Sequence, residues 1–483
     1  MTWTYLLEWT FSVFRYILIK KNKKTTNSDS KGRETMRDMT KGLAAEHLLL
    51  YALPLMLSNW FQMGYNAVDS IIAGRFIGKD ALAAVGIASP IMNLVILSIT
   101  GLCLGAGILM SEFFGAKDFK SLRTQFSTTL LSGLTLSVCV ALLGITFTYP
   151  IMKALAVPEE ILSTTAIYLR ITFLGAPFTF LYNATAAALK SIGDSKTPLK
   201  FLMFSSLLNA VLDVIFIGIL RFGIICSATT TVIAEAVSAL LVILYLTKKL
   251  PELCPGKDEW VIDTSLLKKT LKFGGVAALQ QSVQPIGKLL IQGQVNALGV
   301  DVIAAYNVVT RIDAFALTPE QSVAQAITTY IAQNRGAKKP ERIRRGFLAG
   351  MGMEVAYWIF IGSVVAVFRE PIMALFVTGE DAANIIAIGA QYLLLMSVFY
   401  MWPGMTNGVQ GFFRGIGKLK ITLLGTFIQT GVRVVTTYLL APSMGIAGIA
   451  YACVIGWSLM LLVEIPLCIS ELHKTKTATT PLP

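Results

Sequence analysis

From Leu48 to about residue 470 the chain is a succession of twelve apolar stretches, each long enough to cross a bilayer. They run roughly over 48–73, 83–111, 122–149, 161–189, 199–220, 223–247, 266–296, 302–332, 345–368, 382–412, 419–441 and 445–470. In hydrocarbon a backbone finds no water, so a run of about 20 apolar residues must close its own hydrogen bonds as a helix. The expected fold class is therefore an all-α polytopic membrane protein with twelve transmembrane helices. Composition agrees: 54% of the residues are hydrophobic and 14% charged, whereas soluble domains carry about 25% charged residues.

The basic residues set the orientation. Twenty-one lie in one set of alternate loops, around Lys117–Arg123, Lys190–Lys200, Lys248–Lys272, Arg335–Arg345 and Arg414–Lys420. The other set holds five: Arg75, Lys79, Lys153, Arg221 and Arg369. Positive charge collects on the cytoplasmic side, so both termini are expected there, in a bacterial inner or plasma membrane. The net charge of +13 is explained by these loops, and no nucleic-acid partner is expected. The expected divisions are a largely disordered amino-terminal extension (1–44), an amino lobe (45–247), a polar cytoplasmic linker (248–265), a carboxy lobe (266–470) and a tail (471–483).

The two halves repeat. Gly78-Lys-Asp80-x-x-Ala83-Ala84 returns as Gly299-Val-Asp301-x-x-Ala304-Ala305, 221 residues on. Gly115-Ala-Lys117 returns as Gly336-Ala-Lys338, and Pro150-Ile-Met152 as Pro371-Ile-Met373, at the same offset. Lys190-Ser-Ile-Gly193 returns as Arg414-Gly-Ile-Gly417, and Gly223-Ile224 as Gly445-Ile446, at offsets of 224 and 222. The shift equals six helices, which gives two six-helix, pseudo-symmetric lobes related by an axis along the membrane normal, a plan of alternating-access transporters. A ring of filter residues, as in a channel, is not provided by a twofold repeat.

Carboxylates stand out in such stretches. Asp69 lies in the first, and Asn209 and Asp213 in the fifth, four apart and so on one helix face. Each acid costs roughly 2.5 to 3.5 kcal/mol of insertion free energy, so it is expected to face a cavity or a partner. Further polar candidates for a cavity are Glu235, Gln281 and Lys288, with Glu320 and Glu354 as possible partners of Lys288. Arg170, Arg311 and Arg433 also lie within spans and are expected to pair or snorkel. Pro54 permits bending of the first helix. Met and aromatic residues such as Met63, Tyr65, Met92, Met396 and Tyr400 suit an adaptable drug pocket. There is no Cys-x-x-Cys, no phosphate-binding Gly-x-x-x-x-Gly-Lys-[Ser/Thr] loop and no nucleophile constellation, so no enzyme activity, cofactor or metal centre is expected.

Three segments carry a family resemblance over about residues 45–470. They are Pro54…Asn66-Ala-Val-Asp69…Ala73-Gly74…Gly78…Ala81-Leu-Ala-Ala-Val-Gly86, Ala188-Leu-Lys190-Ser-Ile-Gly193-Asp-Ser-Lys-Thr-Pro198, and Gln333-Asn-Arg-Gly336-Ala-Lys-Lys-Pro-Glu341-Arg342. The chain resembles the multidrug and toxic compound extrusion (MATE) transporters. The resemblance implies a monomer exporting small amphipathic, often cationic compounds through the lipid bilayer, in exchange for H+ or Na+. It also implies that Asp69, Asn209 and Asp213, with Thr231 of Thr231-Val-Ile-Ala234, form the amino-lobe cation site, where Na+ would bind if sodium is the coupling ion. The NorM-like branch has acids in helices 7 and 10; here helix 7 offers Gln280 and Gln281, and no acid lies between Ala382 and Arg414. The chain is thus more similar to the DinF-like branch. The alternative within the superfamily is a lipid-linked saccharide flippase.

Overall fold

The computed structural model describes residues 36–76, 79–379 and 382–477, without the side chains of 68–75, 79–82, 257 and 475–477. Among the described residues it holds thirteen α-helices and no strand. These are α1 (Ala44–Phe76), α2 (Lys79–Gly115), α3 (Phe119–Ala154), α4 (Glu159–Ser191), α5 (Lys196–Asp213) and α6 (Ile224–Lys249). The second half holds α7 (Thr264–Asn296), α8 (Val300–Gly336), α9 (Pro340–Ala374), α10 (Ala382–Phe399), α11 (Met401–Gly415), α12 (Leu419–Met444) and α13 (Ile446–Thr477). Nine helical segments among the described residues are long and apolar enough to cross a membrane. α7 and α8, at 33 and 37 residues, are long enough but fall outside that set. α8 explains why: its polar side chains Glu320, Ser322, Gln333 and Asn334 are buried inside the bundle.

The single stretch expected over 382–412 is two helices, broken at Tyr400. The cause is Pro403, which has no N–H to donate and whose ring crowds the carbonyl one turn back.

The repeat in sequence is a repeat in packing. α1 packs on α5 and α7 on α12; α4 packs on α6 and α11 on α13. Between the halves the contacts are reciprocal, α1 on α8 and α2 on α7, with α2 against α8 between them. Backbone geometry accounts for some recurring motifs. Gly193 and Gly417 have φ of +85° and +78°, and Gly223 and Gly445 have +78° and +59°. Those turns enter the left-handed region, where a Cβ is disfavoured. Outside the bundle, large apolar side chains such as Leu142, Leu207, Leu289 and Phe360 are exposed, a surface suited to lipid.

One end of the bundle, the end with most of the basic loops, is shut. A Cβ on Gly115 would run into the carbonyl oxygen of Gln333, and one on Gly336 into that of Glu112. Gln333 also donates from Nε2 to the carbonyl of Ser191 at 2.8 Å, and Arg335 pairs with Glu112. The described part of the amino-terminal extension, residues 36–43, bridges the halves here. Met39 is fully buried; its N–H donates to Gln333 Oε1 at 3.0 Å, and its carbonyl accepts from Arg342 at 2.9 Å. Arg37 N–H donates to Ile192 O at 2.9 Å. Asp38 pairs with Lys117 at 2.9 Å and accepts from the Thr40 hydroxyl and N–H. The linker is strapped to α3 by a two-pronged Arg123–Glu259 pair at 2.6 and 2.8 Å.

Burial alone would raise the Asp38 carboxyl, but bonds from Thr40 and Lys117 outweigh it and hold the group down, from its ordinary 3.8 to about 2. A lowered folded value stabilises above the unfolded one, so the contribution is complete above about pH 4 and lost as pH falls through about 2. Asp38→Asn is expected to lower stability by about 1 kcal/mol at neutral pH, the pair being partly solvated. A detergent melting series at several pH values checks this; an equal deficit at pH 7 and pH 3 would rule out the charge as the cause.

Candidate functional site

In the first half the site is built where α1, α5 and α6 meet. Asn209 and Asp213 are both buried, at 1% and 0% exposure, one turn apart on α5. Tyr65 of α1 donates its hydroxyl to Asn209 Oδ1. Thr230 of α6 donates to Asp213 Oδ1. Directly after Asp213 the helix widens into a π-helix over Val214–Ile219, with Leu220 N–H reaching Ile215 O at 2.9 Å. Such widenings occur disproportionately at functional sites. Asp69 is one turn beyond Tyr65 on α1, and its side chain lies outside the described residues.

The threonine contact falls one residue from the expected position. Thr231 donates to the Ser227 carbonyl of its own helix at 2.9 Å; Thr230 meets the acid. One residue is about 100° of helix rotation, enough to exchange the two faces. Thr230→Val is expected to lower stability by about 1–2 kcal/mol, since it removes a bond to a buried acid. Thr231→Val, which loses only a bond within its own helix, is expected to stay within about 0.5 kcal/mol. Detergent melting of both variants checks this, and equal effects would discard the distinction.

Between the halves lies a cavity of about 610 Å³. Its walls include Asn183, Lys190, Gln281, Lys288, Asn407 and Arg414, so Gln281 and Lys288 are where the sequence suggested. Glu235 is elsewhere: its Oε2 lies against Gly175 of α4, and Thr179 bonds to it. The expected Met and aromatic lining is displaced too. Met92, Met396 and Tyr400 are buried in the packed interiors of their own halves, because apolar residues gain most where no water remains.

Two polar groupings in the second half come together only in the fold. Asp313 accepts from Tyr400 at 2.6 Å and Tyr392 at 3.2 Å, with Lys288 and Arg433 interacting electrostatically. The signal available was the spacing of Tyr392 and Tyr400, eight residues apart and so on one face. Glu320 and Glu354, expected as partners of Lys288, instead face each other. Both are fully buried beside Gly404, where a Cβ would come within 3.7 Å of the Glu320 carboxyl and 3.6 Å of the Glu354 carboxyl. Arg170 stacks over the Tyr149 ring at 5.0 Å and donates to Ile145 O.

A helical bundle built twice, with buried acids in apolar helices and a polar cavity on the seam, defines a polytopic membrane transport protein. The sequence model of the MatE family matches it twice, over residues 54–215 and 277–439. The chain belongs to this family, the multidrug efflux transporters of the MATE type. It is 30% identical over 396 residues to the "Probable multidrug resistance protein YpnP" of Bacillus subtilis (strain 168), covering 81% of this chain and 87% of that one. It is 23% identical over 423 residues to the "Multidrug export protein MepA" of Staphylococcus aureus (strain MSSA476), covering 86% and 91%. A solved structure described as the "outward-facing conformation of a multidrug resistance MATE family transporter of the MOP superfamily" superposes with a TM-score of 0.83 at 22% identity. It covers 94% of this chain and 100% of that one, and shows the shared fold.

Proposed function

We propose that this chain is a secondary antiporter that exports amphipathic compounds from a bacterial cell by alternating access, with H+ or Na+ as the counter-ion. The observation that carries the reading is Asp213, fully buried in an apolar helix, held by Thr230 one turn from Asn209, and followed at once by a π-helix. A carboxylate in an apolar helix is costly, and an intramembrane acid is by default a candidate for function. Asp69, Asn209 and Asp213 form the coupling site, and the cavity between the halves takes the cargo. The helices make twelve crossings, α10 and α11 together counting as one, with both termini cytoplasmic. The shut end is then the cytoplasmic one, and the conformation is outward-facing, as in the solved relative. The protein works as a monomer, with no cofactor. Gln280 and Gln281 in α7 favour the DinF-like branch. The multidrug names of the relatives weigh against the flippase alternative.

Dye efflux from proteoliposomes, under a proton gradient or a sodium gradient imposed separately, tests the reading. Efflux under one gradient identifies the counter-ion. No efflux under either, with folded protein, would overturn it.

A further inference from the structure

The cavity is symmetric in its chemistry. Asn183 and Lys190, seven residues apart on α4, both line it, and so do Asn407 and Arg414, seven apart on α11. Seven residues are two turns, so each pair shares one helix face. Asn183 and Asn407 are separated by 224 residues, as are Lys190 and Arg414. The internal repeat thus sets one amide and one cation from each half into a single cavity. Lys288 of α7 adds a third cation, and no Asp or Glu lines the cavity among the described residues.

The counter-charges lie behind the walls. Glu464 interacts with Arg414, and Asp313 with Lys288. Among the described residues neither Lys190 nor Arg414 makes an ion pair. Arg414 donates to Gln410 only at 3.4 Å, and its buried Nε has no partner. Guanidinium donors left open in a cavity of low dielectric suit planar oxyanions. The amides and hydroxyls can donate or accept, and the formal charge on the described lining is positive only.

We propose that the cavity binds the anionic head of an amphiphile, a phosphate monoester or a carboxylate, between Lys190 and Arg414. This rests on the exporter reading and narrows its cargo, away from the cationic compounds that the family resemblance implies. Lys190 and Arg414 hold the head, Asn183 and Asn407 orient it, and the apolar part extends toward the open end.

The test is equilibrium binding in phosphatidylcholine nanodiscs with no ion gradient, against protein-free discs. The probes are a dansyl-hexyl phosphate and a dansyl-hexyl trimethylammonium. The phosphate is expected to bind at least about tenfold tighter than the ammonium, and K190Q/R414Q to lose about tenfold for the phosphate. K190R/R414K, which keeps both charges but moves the guanidinium to the other half, is expected to weaken the phosphate less than K190Q/R414Q does and to keep its preference over the ammonium. Competition by inorganic phosphate alone at equal concentration would replace the amphiphile with a small anion. Preference for the ammonium, or equal phosphate binding by K190Q/R414Q, would overturn the proposal. If K190Q/R414Q does not fold, the probe preference of the unsubstituted protein decides. Binding needs no gradient, so absent efflux with intact phosphate binding counts against the exporter reading alone.

Discussion

Gly115→Ala is expected to cut transport at least about tenfold by keeping the shut end of the bundle from closing. A Cβ at Gly115 meets the backbone oxygen of Gln333 well inside the roughly 3.5 Å of ordinary contact. The obstacle is backbone on both sides, in two long helices, so neither a rotamer change nor a loop shift relieves it. The same holds for Gly336 against Glu112. Packed helices have discrete arrangements and do not deform smoothly; the ends of α2 and α8 must stay apart. The buried Met39 and the Gln333–Ser191 bond are lost with them. Spin labels at positions 120 and 341 are expected to report a longer distance than in the unsubstituted protein. Efflux is expected to fall at least about tenfold, the effect of biasing a two-state step by more than 1.4 kcal/mol. Gly352→Ala is the control, since a Cβ there meets nothing within 4 Å. Unchanged distances and efflux in Gly115→Ala would show that this end does not gate.

Asp213→Asn is expected to leave a folded protein that no longer accumulates substrate against its gradient. Asparagine has the same shape and keeps an oxygen for the Thr230 hydroxyl, so packing at this fully buried position survives. It cannot take up and release a proton, and it brings no charge to a sodium ion. One charge crossing 100 mV supplies about 2.3 kcal/mol, which equals about a fiftyfold accumulation ratio. In the variant the ratio is expected to fall to about one, while exchange down a substrate gradient persists. Gradient-driven accumulation at the original ratio, in protein with an unchanged melting point, would remove Asp213 from the coupling step.

Much of the fold was legible because its causes are local. Hydrophobic length set the helices, and the repeats at 221 to 224 residues set the twofold plan; turns that need positive φ fixed some of the glycines that recur. The break at Tyr400 was also within reach, from Pro403, but the apolar run on both sides masked it. Of the candidate site, the pairing of Asn209 with Asp213 on one face followed from their spacing. The fold also turns Thr230 to Asp213 and keeps Glu235 out of the cavity, and Asp313 lies 79 and 87 residues from the tyrosines it meets, beyond the reach of any local spacing.

The sequence by itself determined which segments are helical, that the halves are equivalent, and that several acids lie within apolar helices. Only the tertiary structure decided which residues meet. In a soluble helix the polar face marks the outside, and so fixes rotation about the axis. In a membrane helix the lipid side and most of the bundle side are both apolar, so hydropathy marks the rotation only where a few polar residues fall. Rotation is then settled by close packing, as at Gly115 and Gly336, where two backbones touch. That packing turned Thr230 toward Asp213, set Glu320 against Glu354, and brought Lys190 and Arg414 to one cavity.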